Sequence, residues 1–264
     1  MRCCNVCSPE RRSRVALCVA LLGVLVSPSV SASVSASVSA SVSAQAQAQA
    51  PVSAAPVVAP AAPTTVTAPL TLEQLLARFA GMSGLSARFR EEKRMALLAA
   101  PLVNEGALYF APKGRLARHI TAPAPATVLI DEGSLRYADA GGSETLTLDQ
   151  NPVLRLFVES FVKIFAGDRE ALTRMYTMEL VGLPAGADGA PRWSLRLRPR
   201  VAPMTQVIER IEIEGHEVVL ETMRIVEVGG DETLTTFSAV DPQRRFTDQE
   251  LAALFSLPAR PQGR

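Results

Sequence analysis

The chain predicts a mainly β fold with helices, of the α+β class, in which about eleven short strands meander through one antiparallel sheet with helical insertions. Three observations carry this. Val103 to Tyr137 reads as four strands joined by three turns. Five more strand-like runs fill the second half. Between the two groups stands one helix-period run, Val153 to Phe165, apolar almost all the way round. A sheet of that many strands does not stay flat, so it is expected to curl.

In chain order, Thr71 and Gln74 have capping-box spacing, and Leu72, Leu75, Leu76 and Phe79 follow on one helix face until Gly81 and Gly84 stop it. Leu85 to Lys93 then alternates, with Ala87 and Phe89 on one side and Ser86, Arg88, Arg90 and Glu92 on the other, as in a half-solvated strand. In the next strand Leu108 and Phe110 share a face opposite Ala107 and Tyr109, and Pro112 to Gly114 supply turn chemistry. Arg115 to Ile120 resumes the pattern, Pro123 and Pro125 break it, and Thr127 to Ile130 starts another strand. Asp131-Glu132-Gly133 turns that strand into Leu135-Arg136-Tyr137, and Glu144 to Leu148 follows a Gly141-Gly142 turn.

In the apolar helix Arg155, Glu159 and Lys163 recur every four residues and mark a single narrow polar stripe. The plain reading is a core helix; the sharper one is a removable lid over an apolar hollow. Gly167 is placed for a C-cap, and Asp168 opens a short helix to Met175. Strands are expected over Tyr176 to Leu183, Trp193 to Pro199, Val207 to Glu214, Glu217 to Val228 and Glu232 to Val240. Hairpins fall at Gly215-His216 and Gly229-Gly230-Asp231, and Trp193 reads as a packing residue. Thr247 and Glu250 repeat the capping-box spacing before Leu251, Leu254 and Phe255.

The first residues read as an export leader. Arg2, Arg11, Arg12 and Arg14 precede an apolar run, Val15 to Val26, too short for a comfortable membrane span, and Ala32 suits an Ala-x-Ala cut. Residues 33–69 are a Ser/Val/Ala/Pro tract with Gln-Ala pairs and no large side chains, expected to act as a flexible linker. That leaves 70–258 as the folded domain and 259–264 as a tail. All four cysteines, Cys3, Cys4, Cys7 and Cys18, lie in the leader. Leu17 is too bulky to precede an acylated cysteine, so a periplasmic protein without a lipid anchor is expected.

With 27 basic and 26 acidic residues the chain offers no concentrated basic face, so no nucleic-acid partner is expected. His119 and His216 sit apart from any ligand cluster, and no nucleophile elbow or phosphate loop occurs, so no catalytic residue, metal or cofactor is assigned. Glu91-Glu92 and the pair Glu212 and Glu214 read as solvated faces. An inward-facing pair would instead suit an envelope hydrolase acting on a lipid-linked or glycan substrate. Low aromatic content (5%) beside 48% hydrophobic residues suits acyl chains better than sugars or bases.

Several stretches together resemble the LolA-like outer-membrane lipoprotein carriers. They are the helix Leu72 to Phe79, Leu85-Ser-Ala-Arg-Phe89, Gly106-Ala-Leu-Tyr-Phe110, Pro112-Lys-Gly-Arg-Leu116, Thr121-Ala-Pro123, Leu129-Ile-Asp-Glu-Gly133, the helix after Pro152, and Phe246-Thr-Asp-Gln-Glu-Leu251 on to Phe255. The resemblance implies an incomplete antiparallel β-barrel of about eleven strands with a helical lid. It also implies a non-enzymatic monomer that takes an acylated lipoprotein or other lipid cargo from an inner-membrane ABC transporter to an outer-membrane acceptor. The cavity residues it implies are Phe89, Leu108, Phe110, Leu116 and Leu129 on the wall, with Phe157, Phe161, Ile164 and Phe165 on the lid. Members of the family carry an arginine before the turn proline, where this chain has Ala111, and an aromatic where it has Arg118. A hydrolase or a protein-docking sensor module built on the same shell is the alternative.

Overall fold

A computed structural model describes residues 70–258 with the exception of Glu132. The expected leader, linker and tail lie outside the described residues. Helix α1 (Leu72–Ala80) begins at the capping box: Thr71 Oγ1 accepts the Gln74 N–H at 3.2 Å, and Gln74 Oε1 accepts the Thr71 N–H at 3.0 Å. Six strands follow: β1 (Leu85–Arg94), β2 (Leu102–Ala111), β3 (Arg115–Ala122), β4 (Ala126–Asp131), β5 (Ser134–Asp139) and β6 (Gly142–Thr147). The helices α2 (Pro152–Phe165) and α3 (Arg169–Met175) come next. Then come β7 (Tyr176–Leu183), β8 (Arg192–Pro199), β9 (Ile208–His216), β10 (Val219–Glu227), β11 (Glu232–Asp241) and α4 (Asp248–Leu254).

The strands form one antiparallel sheet of eleven, in the order β6-β5-β4-β3-β2-β1-β11-β10-β9-β8-β7. Every neighbour is a sequence neighbour except β1 and β11, which pair from Ser86 with Asp241 to Arg94 with Glu232. The first and last strands therefore meet mid-sheet, while β6 and β7, the two edges, are bridged by α2 and α3 and are not bonded to each other. The barrel is incomplete. One face of the strands feeds a single core that includes Leu85, Leu108, Leu116, Val128, Leu135, Leu195, Ile211, Leu220 and Phe237 as well as α1 and α2, which requires the sheet to curl around them.

The other face is covered in part. Phe255 and the partly buried Leu251 and Leu254 of the α4 region pack on Ala111, Ala117 and Leu129. His119 Nε2 lies 2.8 Å from the Leu254 carbonyl, and Arg136 Nη2 donates to the Phe255 carbonyl at 3.1 Å. Ala111 thus lies under the C-terminal segment, on the face away from α2.

Most strand boundaries differ from the sequence reading by one or two residues, and two of these differences have a visible cause. The hairpin expected at Gly215-His216 turns at Glu217 and Val218, with Glu217 at φ 48°. Gly215 is a strand residue chosen for close approach, since a Cβ there would stand 2.1 Å from the Val219 carbonyl oxygen and 3.0 Å from the Trp193 ring. Trp193 itself is buried, edge-on to Phe79 with centroids 5.9 Å apart, and its Nε1 donates to the Glu217 carbonyl. A short 3₁₀ turn at Met204–Gln206 delays β9 to Ile208, one residue later than expected.

Helix α2 starts on Asn151, whose Oδ1 accepts the Leu154 N–H at 3.1 Å, with Pro152 in the first turn. Asn151→Ala is expected to lower stability by about 1 kcal/mol in chemical denaturation, the usual value of an N-cap. The next turn is tied at Gly167 (φ 64°), where a Cβ would meet the Leu76 carbonyl oxygen of α1 at 2.1 Å. Asp168 then caps α3 by accepting the Ala171 N–H at 3.0 Å and takes a 2.8 Å bond from Lys163 Nζ. The Lys163 bond first, and the backbone N–H second, hold its carboxyl below the usual range. A depressed folded value means that this contribution is fully present above about pH 4, the unfolded carboxylate value, and is lost only as pH falls through the lower folded one.

Candidate functional site

Between α2 and the inner face of the sheet lies an apolar hollow of about 80 Å³. Phe89, Leu108, Leu116 and Ile130 come to it from β1 to β4, Phe157, Phe161, Ile164 and Phe165 from α2, and Ile213, Leu220, Met223, Ile225 and Phe237 from β9 to β11. The spacing of the α2 set, at i, i+4, i+7 and i+8, keeps all four on one helix face. At roughly 10–15 Å³ per water-sized occupant the hollow has room for a short hydrocarbon stretch.

What holds α2 down is mostly apolar contact. Phe165 packs on Phe110 of β2 (centroids 5.2 Å), while Phe157 and Phe161 meet edge-on within α2 itself (4.8 Å). One polar tie is fully buried: Ser160 Oγ donates to the Leu156 carbonyl at 2.5 Å, which leaves it to accept from the Tyr176 hydroxyl, also at 2.5 Å. Burial pushes the Tyr176 ionisation upward, keeping it a donor. The apolar contacts, unlike that hydrogen bond, are non-directional and can be exchanged for contacts with a hydrocarbon, as a removable cover requires.

The structure brings together Phe89, Leu108, Leu116, Phe157, Phe161, Ile164 and Phe165 around this space. Phe110 belongs to the same core but sits against Phe165 without lining the hollow. Leu129 is a correction. It is wholly buried on the opposite face, in the cluster with Ala111, Ala117 and Phe255, while its neighbours Val128 and Ile130 point inward. Successive side chains of a strand take opposite faces, so Leu129 shares its face with Thr127 and Asp131, away from Ala126, Val128 and Ile130; burial of β4 on both faces under the C-terminal segment is what hides that polar signal.

The hollow also has a polar end that the sequence reading missed. Glu91 is 3% exposed and lines it, contrary to the expectation of a solvated pair. Its Oε1 accepts from Arg118 Nη2 at 2.7 Å and from Asn104 Nδ2 at 3.3 Å, and its Oε2 accepts from Thr235 Oγ1 at 3.3 Å. Arg118 lies over the Phe89 ring, 4.4 Å from its centroid. Lys93, also buried, donates to Glu227 at 2.6 Å. The signal was available in the alternation Leu85, Ala87, Phe89, Glu91, Lys93, which carries the last two onto the apolar face. Only Glu92 stays outward, paired with Arg90 at 3.2 Å. Glu212 and Glu214 also lie on the outer face, alternating with buried Ile211 and Ile213; Glu212 meets Arg210 and Arg196, and Glu214 meets Thr222. The inward carboxylate pair that a hydrolase would need is not formed by them. Among the described residues no group of three His, Cys, Asp or Glu could hold a metal ion.

A family model described as outer membrane lipoprotein carrier protein, LolA-like, matches residues 60–253. No curated protein matches the sequence. Among solved structures, the chain is similar to a LolA superfamily protein from Nitrosomonas europaea, at 12% identity over 69% of this chain and 97% of that one, with a TM-score of 0.37. It is similar also to the lipoprotein LppX of Mycobacterium tuberculosis, at 10% identity over 66% and 98% with a TM-score of 0.36. A chain of the Pseudomonas aeruginosa MucA/MucB complex aligns at 14% identity over 68% of this chain and 60% of that one, with a TM-score of 0.42.

Proposed function

The chain belongs to the LolA-like family of outer membrane lipoprotein carrier proteins, and from that premise we propose that it is a non-enzymatic periplasmic carrier that holds the acyl chains of a lipoprotein or other lipid-linked cargo between its curled sheet and α2. The observation that carries this reading is the apolar hollow beneath a helix whose cover is made of exchangeable contacts. Each methylene moved from water into such a space contributes about 0.8 kcal/mol, so a long chain is held by shape and dryness without any catalytic group. Loading replaces the Phe157, Phe161 and Phe165 contacts of α2 with contacts to cargo. Release requires a partner site that binds the chain better, because a site of equal affinity would leave cargo behind. An inner-membrane ABC transporter as donor and an outer-membrane acceptor fit that scheme.

The test is direct. Protein purified from its native host should carry extractable acyl lipid by mass spectrometry, and the delipidated protein should bind a pyrene-labelled acyl chain. Neither bound lipid nor probe binding would overturn the reading. Phe161→Glu, which sets a charge on the lid's inner face, is expected to weaken probe binding about tenfold or more, with little loss of circular dichroism signal because Phe161 is only half-buried.

A further inference from the structure

The interior of the hollow is not uniformly apolar, and the polar end has unused hydrogen-bonding capacity. Thr233, 1% exposed and at the β11 position paired with Lys93, lines the hollow with its hydroxyl unpartnered. Arg118, which lines the same space, spends Nη2 on Glu91 while its Nε has no partner and no contact with solvent. Buried donors without acceptors are costly, and native interiors rarely keep them unless something absent completes them. Arg118 Nε–H can only donate, and the Thr233 hydroxyl can donate as well as accept, so an acceptor is the one kind of group that would satisfy both. The charge of Arg118 is already matched by Glu91, whose carboxylate would face any second anion in the hollow.

From this we propose that the polar end of the hollow is a subsite for a neutral acceptor oxygen on the cargo, an ester or amide carbonyl next to the acyl chain, received by Thr233 Oγ1 and Arg118 Nε. The inference rests on the acyl-carrier reading and adds to it a chemical preference. A chain with a carbonyl near one end binds in one orientation, its oxygen toward β1 and β11 and its hydrocarbon toward Phe157 and Phe161. Plain hydrocarbon gains the dryness but leaves both donors unmet, and a free carboxylate meets Glu91. Each acceptor bond made in place of an unmet donor should change affinity roughly two- to tenfold.

The experiment measures displacement of the neutral probe N-phenyl-1-naphthylamine by methyl laurate, tetradecane and laurate at neutral pH, using wild type, Thr233→Val and Arg118→Lys. The lysine keeps the positive charge beside Glu91 and removes Nε. The preference for methyl laurate over tetradecane, expressed as a ratio so that their differing solubilities cancel between proteins, is expected to fall roughly two- to tenfold in each variant. Laurate is expected to compete less well than methyl laurate with wild type. Thr233→Val should also raise the thermal midpoint of the free protein, since it removes an unpartnered hydroxyl of nearly the same shape; a lowered midpoint would mean that the hydroxyl is already bonded and would overturn the subsite. An unchanged ratio in both variants, or laurate competing better than its ester, would overturn the subsite while the carrier reading stands. If no competitor displaces the probe from any of the three proteins, the carrier reading falls and the subsite with it.

Discussion

Arg118→Ala is expected to destabilise the protein by about 3–5 kcal/mol, the range for removing one member of a buried ion pair. Glu91 would keep only Asn104 and Thr235 as partners in a place that is 3% exposed. The loss arises from the stranded carboxylate more than from the missing guanidinium. Replacing both residues at once, Glu91→Leu with Arg118→Leu, should therefore recover most of it, because a buried pair exchanged for apolar groups of similar size is often neutral or stabilising. Denaturant unfolding of wild type, Glu91→Leu, Arg118→Leu and the double variant closes the cycle. A single variant within about 1 kcal/mol of wild type would mean that Glu91 reaches water, and the interior polar end would have to be redrawn.

Leu116→Ala and Leu129→Ala should separate the two faces of the wall. Leu129 is wholly buried in the cluster under the C-terminal segment and has no part in the hollow, so its truncation is expected to cost about 2–5 kcal/mol of stability and to leave acyl-probe affinity within a factor of about two. Leu116 borders open space on one side, so its truncation removes fewer contacts in the empty protein. It should lower stability less, yet weaken the probe about tenfold, the result of losing two methylenes of contact at about 0.8 kcal/mol each. Equal effects on probe binding would show that the cargo does not lie where the hollow is.

Much of this architecture was legible because its elements carry their own signals. The capping boxes at Thr71 and Thr247, the single polar stripe of Arg155, Glu159 and Lys163, and the alternation of β1 and β9 need no tertiary information. Gly215 shows where such signals stop. A glycine before a histidine reads as a turn, but this one stays in the strand, where the Val219 carbonyl and the Trp193 ring of the neighbouring strand crowd the place a Cβ would take. Glu91 shows the same limit, since an acidic pair usually means solvent and the compensating cation comes from two strands away.

The amino-acid order by itself determined which stretches are strands and which are helices, and which side chains share a face, because periods of 2.0 and 3.6 residues are local properties of the backbone. Only the tertiary structure decided that the Leu129 face of β4 is covered by the C-terminal segment, since that contact joins stretches far apart in the chain. It also decided that Glu91 and Arg118, 27 residues apart, meet inside, because their pairing follows from the curl of the sheet, which depends on every strand at once.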